Sequence, residues 1–246
     1  MVDPRTSIID ERLKNVRNVI AVSGGKGGVG KSIVASTLAL ILAKSGRKVG
    51  LFDLDFTSPS TNLILGIQDA KPVEDKGILP PEIHDLRYMS IIFYSGDYAA
   101  PLRGADISNA LIELLAITRW ENLDYLILDM PPGISDATLD LIRLIKKIRF
   151  LVITTPSQLA FETVKKLATL LTAQNIPIIG IIENMKTDNS QNIRNQTRKL
   201  GLKYLGQIPF DSQIETVLGN PTKLLNTRIA QATKQITTRI LKTQTT

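Results

Sequence analysis

Gly25-Lys26-Gly27-Gly28-Val29-Gly30-Lys31-Ser32 fits the pattern G-x-x-x-x-G-K-[ST] at every position. The apolar run Asn18-Val19-Ile20-Ala21-Val22-Ser23 leads into it, and Ser32-Ile33-Val34-Ala35-Ser36-Thr37-Leu38-Ala39-Leu40 leads out with helical character. A strand, a glycine loop and a helix in that order form a phosphate-binding P-loop. The glycines let successive backbone N–H groups turn inward around phosphate oxygens, and the start of the helix adds partial positive charge. Lys31 brings a point charge to the β- and γ-phosphates, and the Ser32 hydroxyl suits Mg²⁺. Each of Gly25, Lys26, Gly27, Gly28, Val29, Gly30, Lys31 and Ser32 is therefore a candidate nucleotide-binding residue.

Outward from the loop, short Val/Ile/Leu-rich runs alternate with longer segments of helical period. The strand candidates are 18–23, 48–54, 86–93, 123–129, 150–154, 178–183 and 202–208. The helix candidates lie near 31–45, 105–117, 136–147, 158–173, 190–200 and 227–242. Continuous apolar strands separated by helices imply a parallel sheet covered on both faces. Ser135, Asp136 and Ser157 stand where N-caps are expected, and Gly46 and Gly201 where helices should stop. Residues 66–86, with Pro72, Gly77, Pro80 and Pro81, read as an ordered excursion. His84 has a surface or turn role, and the apolar spacing of 140–148 faces a core. The expected architecture is α/β in three layers, one P-loop NTPase domain over 1–246 with residues 1–16 as an N-terminal extension.

Composition agrees. The chain has 246 residues, 43% hydrophobic and 22% charged, which excludes a disordered or fibrous chain. Cysteine is absent. That excludes disulfides, thiolate zinc sites, cysteine nucleophiles and iron–sulfur clusters ligated by the chain's own thiols. The net charge of +7 is uneven. From Lys186 onward there are ten Lys/Arg against three acidic residues, whereas residues 1–185 hold twenty of each. A basic terminal third suits a nucleic-acid or anionic-membrane surface, or a solvated helical face. The first residues lack the order of a signal peptide, and no apolar run is long enough to span a bilayer, so a cytoplasmic location is expected.

Acidic strand ends carry the chemistry further. Asp53 and Asp55 close the second strand at the edge where open parallel sheets bind ligands. Asp129 closes Leu123–Asp129 and is followed by Met130-Pro131-Pro132-Gly133. Lys26-Gly27-Gly28-Val29-Gly30-Lys31-Ser32 resembles the deviant P-loop of the MinD/ParA superfamily. The resemblance implies ATP with Mg²⁺, and a homodimer with the nucleotides at its interface, into which Lys26 reaches in trans. It also implies that Asp55 orients the attacking water, that Asp53 and Asp129 support Mg²⁺ through water, and that the Gly133 N–H meets the γ-phosphate. Lys26, Lys31 and Asp55 are then the catalytic candidates, with Ser32, Asp53 and Asp129 at the metal.

Further stretches resemble the Mrp/ApbC family of nucleotide-binding iron–sulfur carriers. They are Asp53-Leu54-Asp55-Phe56-Thr57-Ser58-Pro59-Ser60, Met89-Ser90-Ile91, Arg103-Gly104-Ala105, Trp120 with Leu123–Gly133, Thr154-Thr155-Pro156-Ser157 and Ile182-Glu183-Asn184-Met185. The resemblance runs from about residue 17 to 240. It implies a largely parallel sheet of seven or eight strands, with Asn184 at adenine and Pro209 and Asp211 lining the base pocket. The departure is specific: cluster-carrying members have C-x-x-C after E-N-M, and here Lys-Thr-Asp-Asn-Ser-Gln-Asn follows.

Three functions compete. One is an Mrp-like ATPase serving iron–sulfur or metallocofactor assembly beside a Cys-bearing partner. Another is a ParA/MinD-like positioning switch that binds DNA or membrane with ATP. The third, a small-molecule synthetase or kinase, lacks a dedicated carboxylate or amine pocket. The helix 228–242 invites comparison with a membrane-binding terminal helix, but its apolar side is sparse and without Phe or Trp, so packing on the sheet is expected.

Overall fold

The computed structural model describes residues 5–95 and 105–242. The elements, in order, are α1 (Arg5–Leu13), β1 (Val16–Gly24), α2 (Lys31–Lys44), β2 (Val49–Asp53), α3 (Thr61–Leu65), β3 (Val73–Glu74), β4 (Ile78–Leu79), β5 (Glu82–Ile83), β6 (Leu86–Ser90) and α4 (Ile92–Ser95). Then come α5 (Ala105–Ile117), β7 (Leu123–Asp129), α6 (Asp136–Leu144), β8 (Ile148–Thr154), α7 (Gln158–Ala173), β9 (Ile178–Lys186) and α8 (Asn192–Lys199). The chain finishes with β10 (Tyr204–Pro209), a 3₁₀ turn (Ile214–Val217), α9 (Pro221–Leu225) and α10 (Arg228–Lys242).

Eight strands form one sheet in the order β10-β9-β8-β1-β7-β2-β6-β5. All neighbours are parallel except β5, which runs antiparallel to β6. Side chains alternate across a strand, so each strand feeds two cores. Along β1, Val19 and Ala21 join a cluster with Leu111, Leu141 and Phe161 on one face. Ile20 and Val22 join Leu38, Leu40 and Ile229 on the other. The expected three-layer α/β sheet is present. Parallel pairing also aligns every strand's C-terminal end, so Gly24, Asp53 and Asp129 meet along one edge.

Local expectations hold with instructive exceptions. Ser135 and Ser157 cap α6 and α7 by accepting the N–H groups of Thr138 and Ala160. Asp136 is the first helical residue behind the Ser135 cap. The expected strand 86–93 stops at Ser90, whose Oγ accepts the Ile92 N–H and turns the chain into α4. The expected helix 136–147 stops at Leu144; Lys147 instead donates to the carbonyls of Leu13 and Val16. Residues 66–86 hold the β3–β4 hairpin and β5, tied down by Arg119 donating to Asp75. His84 sits in a turn at φ 54 against the Leu65 carbonyl.

Residues 5–13, read from sequence only as part of an extension, form a helix with Ile9 and Leu13 buried. The terminal helix α10 buries Ile229, Ile236 and Ile240. Of the motif Arg103-Gly104-Ala105, the first two residues lie outside the described residues. No helix among the described residues is long and apolar enough to cross a membrane.

Candidate nucleotide-binding site

The loop between β1 and α2 is shaped by close approaches that only glycine allows. A Cβ on Gly25 would stand 2.1 Å from Thr163 Oγ1 of α7. Gly30 has φ 80, and a Cβ there would meet Asn184 Nδ2 at 2.2 Å. Val29 between them is buried and anchors the loop in the core. Gly27 and Gly28 are exposed, and space beyond Gly28 is open, with no atom within 4 Å of an added Cβ. The N-terminus of α2 carries no side-chain cap. Its first N–H groups are therefore available to an anion.

Behind the loop lies a buried charge cluster. Lys31 Nζ donates to Asp129 Oδ1 at 2.6 Å and to Ser32 Oγ at 3.3 Å. Asp53 and Asp129 are direct partners across β2 and β7. Burial pushes the Asp129 carboxyl up to about 7, against the pull of Lys31. Burial also raises Asp53 above the ordinary carboxylate range, opposed by donors from Thr61 and Asp55. Asp129 Oδ2 is buried without a hydrogen-bond partner among the described residues. A buried, orphaned carboxylate oxygen is costly unless something joins it.

Asp53 is anchored on all sides. Its Oδ2 accepts from the N–H groups of Ser60 and Thr61 and from Thr61 Oγ1 at 2.7 Å, while Oδ1 accepts the Asp55 N–H. Thr61 Oγ1 also contacts the Tyr88 hydroxyl at 2.9 Å. Asp53 therefore fixes the loop carrying Asp55. Asp55 is half-buried, and its Oδ1 accepts from Thr57 Oγ1 and the Ser58 N–H. On the other side, the Gly133 N–H donates to the Gly24 carbonyl at 3.2 Å, latching the segment after β7 to the start of the loop. Lys26 is exposed and has no hydrogen bond or ion pair among the described residues.

The residues expected at the base are spread more widely. Asn184 is buried and donates from Nδ2 to the Val29 carbonyl at 2.8 Å, bracing the loop. Pro209 ends β10, and Asp211 accepts the Gln213 N–H beside half-exposed Phe210. Asp211 lines a depression of ≈ 420 Å³ with Phe210 and Lys223; Pro209 lies outside its lining.

Two sets of positioning residues escaped sequence reasoning. Thr61 and Tyr88 orient Asp53. Glu183, Lys186 and Tyr204 form a second polar cluster, with Lys186 donating to Glu183 at 2.7 Å and Tyr204 donating at 2.8 Å. Burial alone would lower Lys186, but Glu183 and Asp188 hold it above the ordinary lysine range. The signal available in the sequence was a lysine three residues after a strand glutamate, a spacing that also occurs on solvated surfaces.

The donor set fits Mg²⁺ and a nucleotide. Ser32 and Asp129 both meet the Lys31 ammonium at the uncapped start of α2, and Asp129 Oδ2 lacks a hydrogen-bond partner among the described residues. Ligand-bearing positions rich in thiol or imidazole are missing: among the described residues no three His, Cys, Asp or Glu side chains are grouped to hold a metal directly.

Comparison with known proteins agrees with this geometry. An iron–sulfur cluster carrier protein of Pseudomonas fragi is 40% identical over 177 residues, covering 70% of this chain and 62% of that one. The chain thus spans less than two thirds of that relative's length. A nucleotide-binding protein of Archaeoglobus fulgidus, solved in complex with ADP, superposes with a TM-score of 0.77 at 30% identity, covering 92% of this chain and 95% of that one. The cell division ATPase MinD of Pyrococcus furiosus shares the fold, with a TM-score of 0.70 at 18% identity and coverage of 92% and 99%. The ParA family model, described as NUBPL iron-transfer P-loop NTPase, matches residues 15–244, and the chain belongs to that family.

Proposed function

We propose that this chain is an ATP-hydrolysing, ATP-dependent homodimer that serves iron–sulfur or metallocofactor assembly without ligating a cluster itself. The observation that carries the reading is the Lys31–Asp129 pair behind an open phosphate loop, with Asp129 Oδ2 orphaned. The supporting resemblances are to a carrier of iron–sulfur clusters and to a protein solved with ADP.

In this reading the loop N–H groups and Lys31 hold the β- and γ-phosphates. Ser32 would hold Mg²⁺, with Asp53 and Asp129 supporting it through water. The metal, when bound, neutralises charge developing on the bridging oxygen. Water attacks the γ-phosphorus, the bond to the β-γ bridging oxygen breaks, and ADP and phosphate result. Asp55 orients that water once Thr57 and Ser58 release its carboxylate. Lys31 exchanges Asp129 for phosphate, and the Gly133 N–H exchanges the Gly24 carbonyl for the γ-phosphate. Lys26, without a partner among the described residues, completes the other subunit's site in trans. Asn184, Pro209 and Asp211 lie toward the base.

The cargo follows from chemistry. Clusters are held chiefly by cysteine sulfur, and this chain has none. Oxygen donors such as Asp188 are too hard to hold a sulfide-bridged cluster. Thiols then come from a Cys-bearing assembly protein. A second reading, a positioning ATPase on DNA or membrane, draws on the basic last third; the burial of Ile229, Ile236 and Ile240 counts against its membrane form.

Calorimetry of Mg-ATP with the wild type and Lys31→Ala tests the site. A severe loss of affinity in the variant is expected, and unchanged affinity overturns the assignment.

A further inference from the structure

Two basic residues of the last third of the chain, Arg194 and Arg239, border a place that the nucleotide chemistry does not use. Strand β10 ends the sheet, with α8 and α10 flanking its open side. Between them runs a groove of ≈ 490 Å³ floored by Tyr204, Gly206 and Gln207. Gln191 and Arg194 line it from α8; Gln235 and Arg239 line it from α10.

Arg194 and Arg239 are the cations of its lining. Lys186 is paired with Glu183 and Asp188. Arg194, Arg198, Lys199, Lys203, Arg228 and Lys234 are exposed and have no carboxylate partner among the described residues. Arg194 and Arg198, four positions apart, lie along one stripe of α8 with Gln191. Arg228, Gln235, Arg239 and Lys242 follow the same helical spacing on α10. One arginine from each flank, Arg194 and Arg239, thus lines the groove, and no acidic side chain among the described residues does.

The lining selects among polyanions. Duplex DNA is read by an element that protrudes into its groove, whereas these cations border a depression. Single-stranded nucleic acid needs free aromatic faces for stacking. The only aromatic residue in the lining is Tyr204. Its ring lies under the Arg194 guanidinium at 6.0 Å, and its hydroxyl is engaged with Glu183. A membrane would need an exposed apolar face. Addition of a further β-strand is blocked, because Arg239 donates to the Leu205 carbonyl and covers the strand edge. What remains is a chain whose side chains carry the negative charge and whose peptide groups meet amides. Gln207 and Gln235 each offer one acceptor oxygen and two donors for that purpose, whereas the Gln191 amide accepts from Arg194 and donates to the Asn189 carbonyl.

We infer that the groove between α8 and α10 is a docking site for an acidic, extended peptide segment of a partner protein. Carboxylates meet Arg194 and Arg239, which suit two-point contacts with planar anions. The Gln207 and Gln235 amides meet the peptide backbone. The surface lies beside β10 and makes no use of bound nucleotide.

The probe is a fluorescein-labelled hexaglutamate peptide, read by anisotropy at low ionic strength against full-length protein without ATP. Saturable binding is expected, weaker as salt rises. Gln235→Glu and Arg194→Gln should each raise Kd about tenfold, the size of one charge-assisted hydrogen bond. Lys199→Gln, with the same charge change as Arg194→Gln but outside the groove, should raise it less than twofold. Arg239 is left intact because it covers Leu205. Equal losses in Lys199→Gln and Arg194→Gln would show diffuse surface charge and overturn the inference. So would absence of saturable binding, or tighter binding of an oligothymidylate of the same charge. Because ATP is absent, failure here leaves the nucleotide reading standing, and failure of Lys31→Ala to lose ATP leaves this one.

Discussion

Replacing Lys31 by Met removes the cation 2.6 Å from Asp129 Oδ1 and strands a carboxylate with no exposure. Deleting one member of a buried pair costs about 3–5 kcal/mol when the survivor stays charged. Asp129 has an escape, which is to take up a proton. With Lys31 in place its folded pKa is already raised to about 7 by burial; without Lys31 it goes higher. A carboxyl raised in this direction favours the folded state fully below its unfolded value of about 4. That contribution fades as pH rises and stops fading once the folded pKa is passed. In the wild type the decline therefore levels off above about pH 7. In Lys31→Met it continues at about 1.4 kcal/mol per pH unit. The gap between the two proteins should widen at that rate above neutrality until it reaches the cost of the fully charged, unpaired state. Trp120, the only tryptophan and wholly buried, reports unfolding by fluorescence in urea titrations without nucleotide. In an Asp129→Asn background the extra pH dependence should vanish. Parallel stability curves for wild type and Lys31→Met above pH 7 would refute the reasoning.

Other outcomes follow from the same geometry. Lys26→Ala should bind Mg-ATP normally and lose hydrolysis, and Asp55→Ala should bind and dimerise by light scattering yet turn over poorly; full ATPase activity in Lys26→Ala counts against its role in trans. Thr61→Val removes the hydroxyl that Asp53 accepts at 2.7 Å, so urea titration should show a loss of about 1.5–3 kcal/mol; a change near zero would mean that Asp53 is held without it. Anaerobic incubation with iron, sulfide and a thiol, then desalting, should leave a colourless protein; retained stoichiometric iron with a cluster absorption band would reverse the cargo argument.

Much of the fold could be read from the chain because strand and helix periods were long and uninterrupted. Helices 105–117 and 158–173 and strand 123–129 appear with their expected bounds. Helix α1 was hidden because nine residues carry only Ile9 and Leu13 on a buried side. Such a short helix needs α5 and α6 to dock against, which no local pattern announces. At the site, residue types were legible and their present partners were not. Nothing in Lys31, Gly133 or Asn184 says that they hold Asp129, Gly24 and Val29, since those bonds join segments far apart along the chain. Thr61 escaped notice because its bond to Asp53 spans a loop of irregular backbone.

The position of β1 has a consequence for how the protein is made. The strand that delivers the phosphate loop has β7 and β8 as its neighbours in the sheet. Arg17 and Asp124, which meet across β1 and β7, are 107 positions apart. Closing a flexible loop of that length costs about 4 kcal/mol of chain entropy before any pairing compensates it. A ribosome adding roughly 5–20 residues per second needs about 7–26 s to pass from the end of β1 to the end of β8. Until β7 is made the apolar run 18–23 has no partner strand, and until β8 is made it has one of its two. The nucleotide loop is therefore among the first segments synthesised and among the last to acquire its shape, and a nascent chain becomes competent for phosphate only after β8 has emerged.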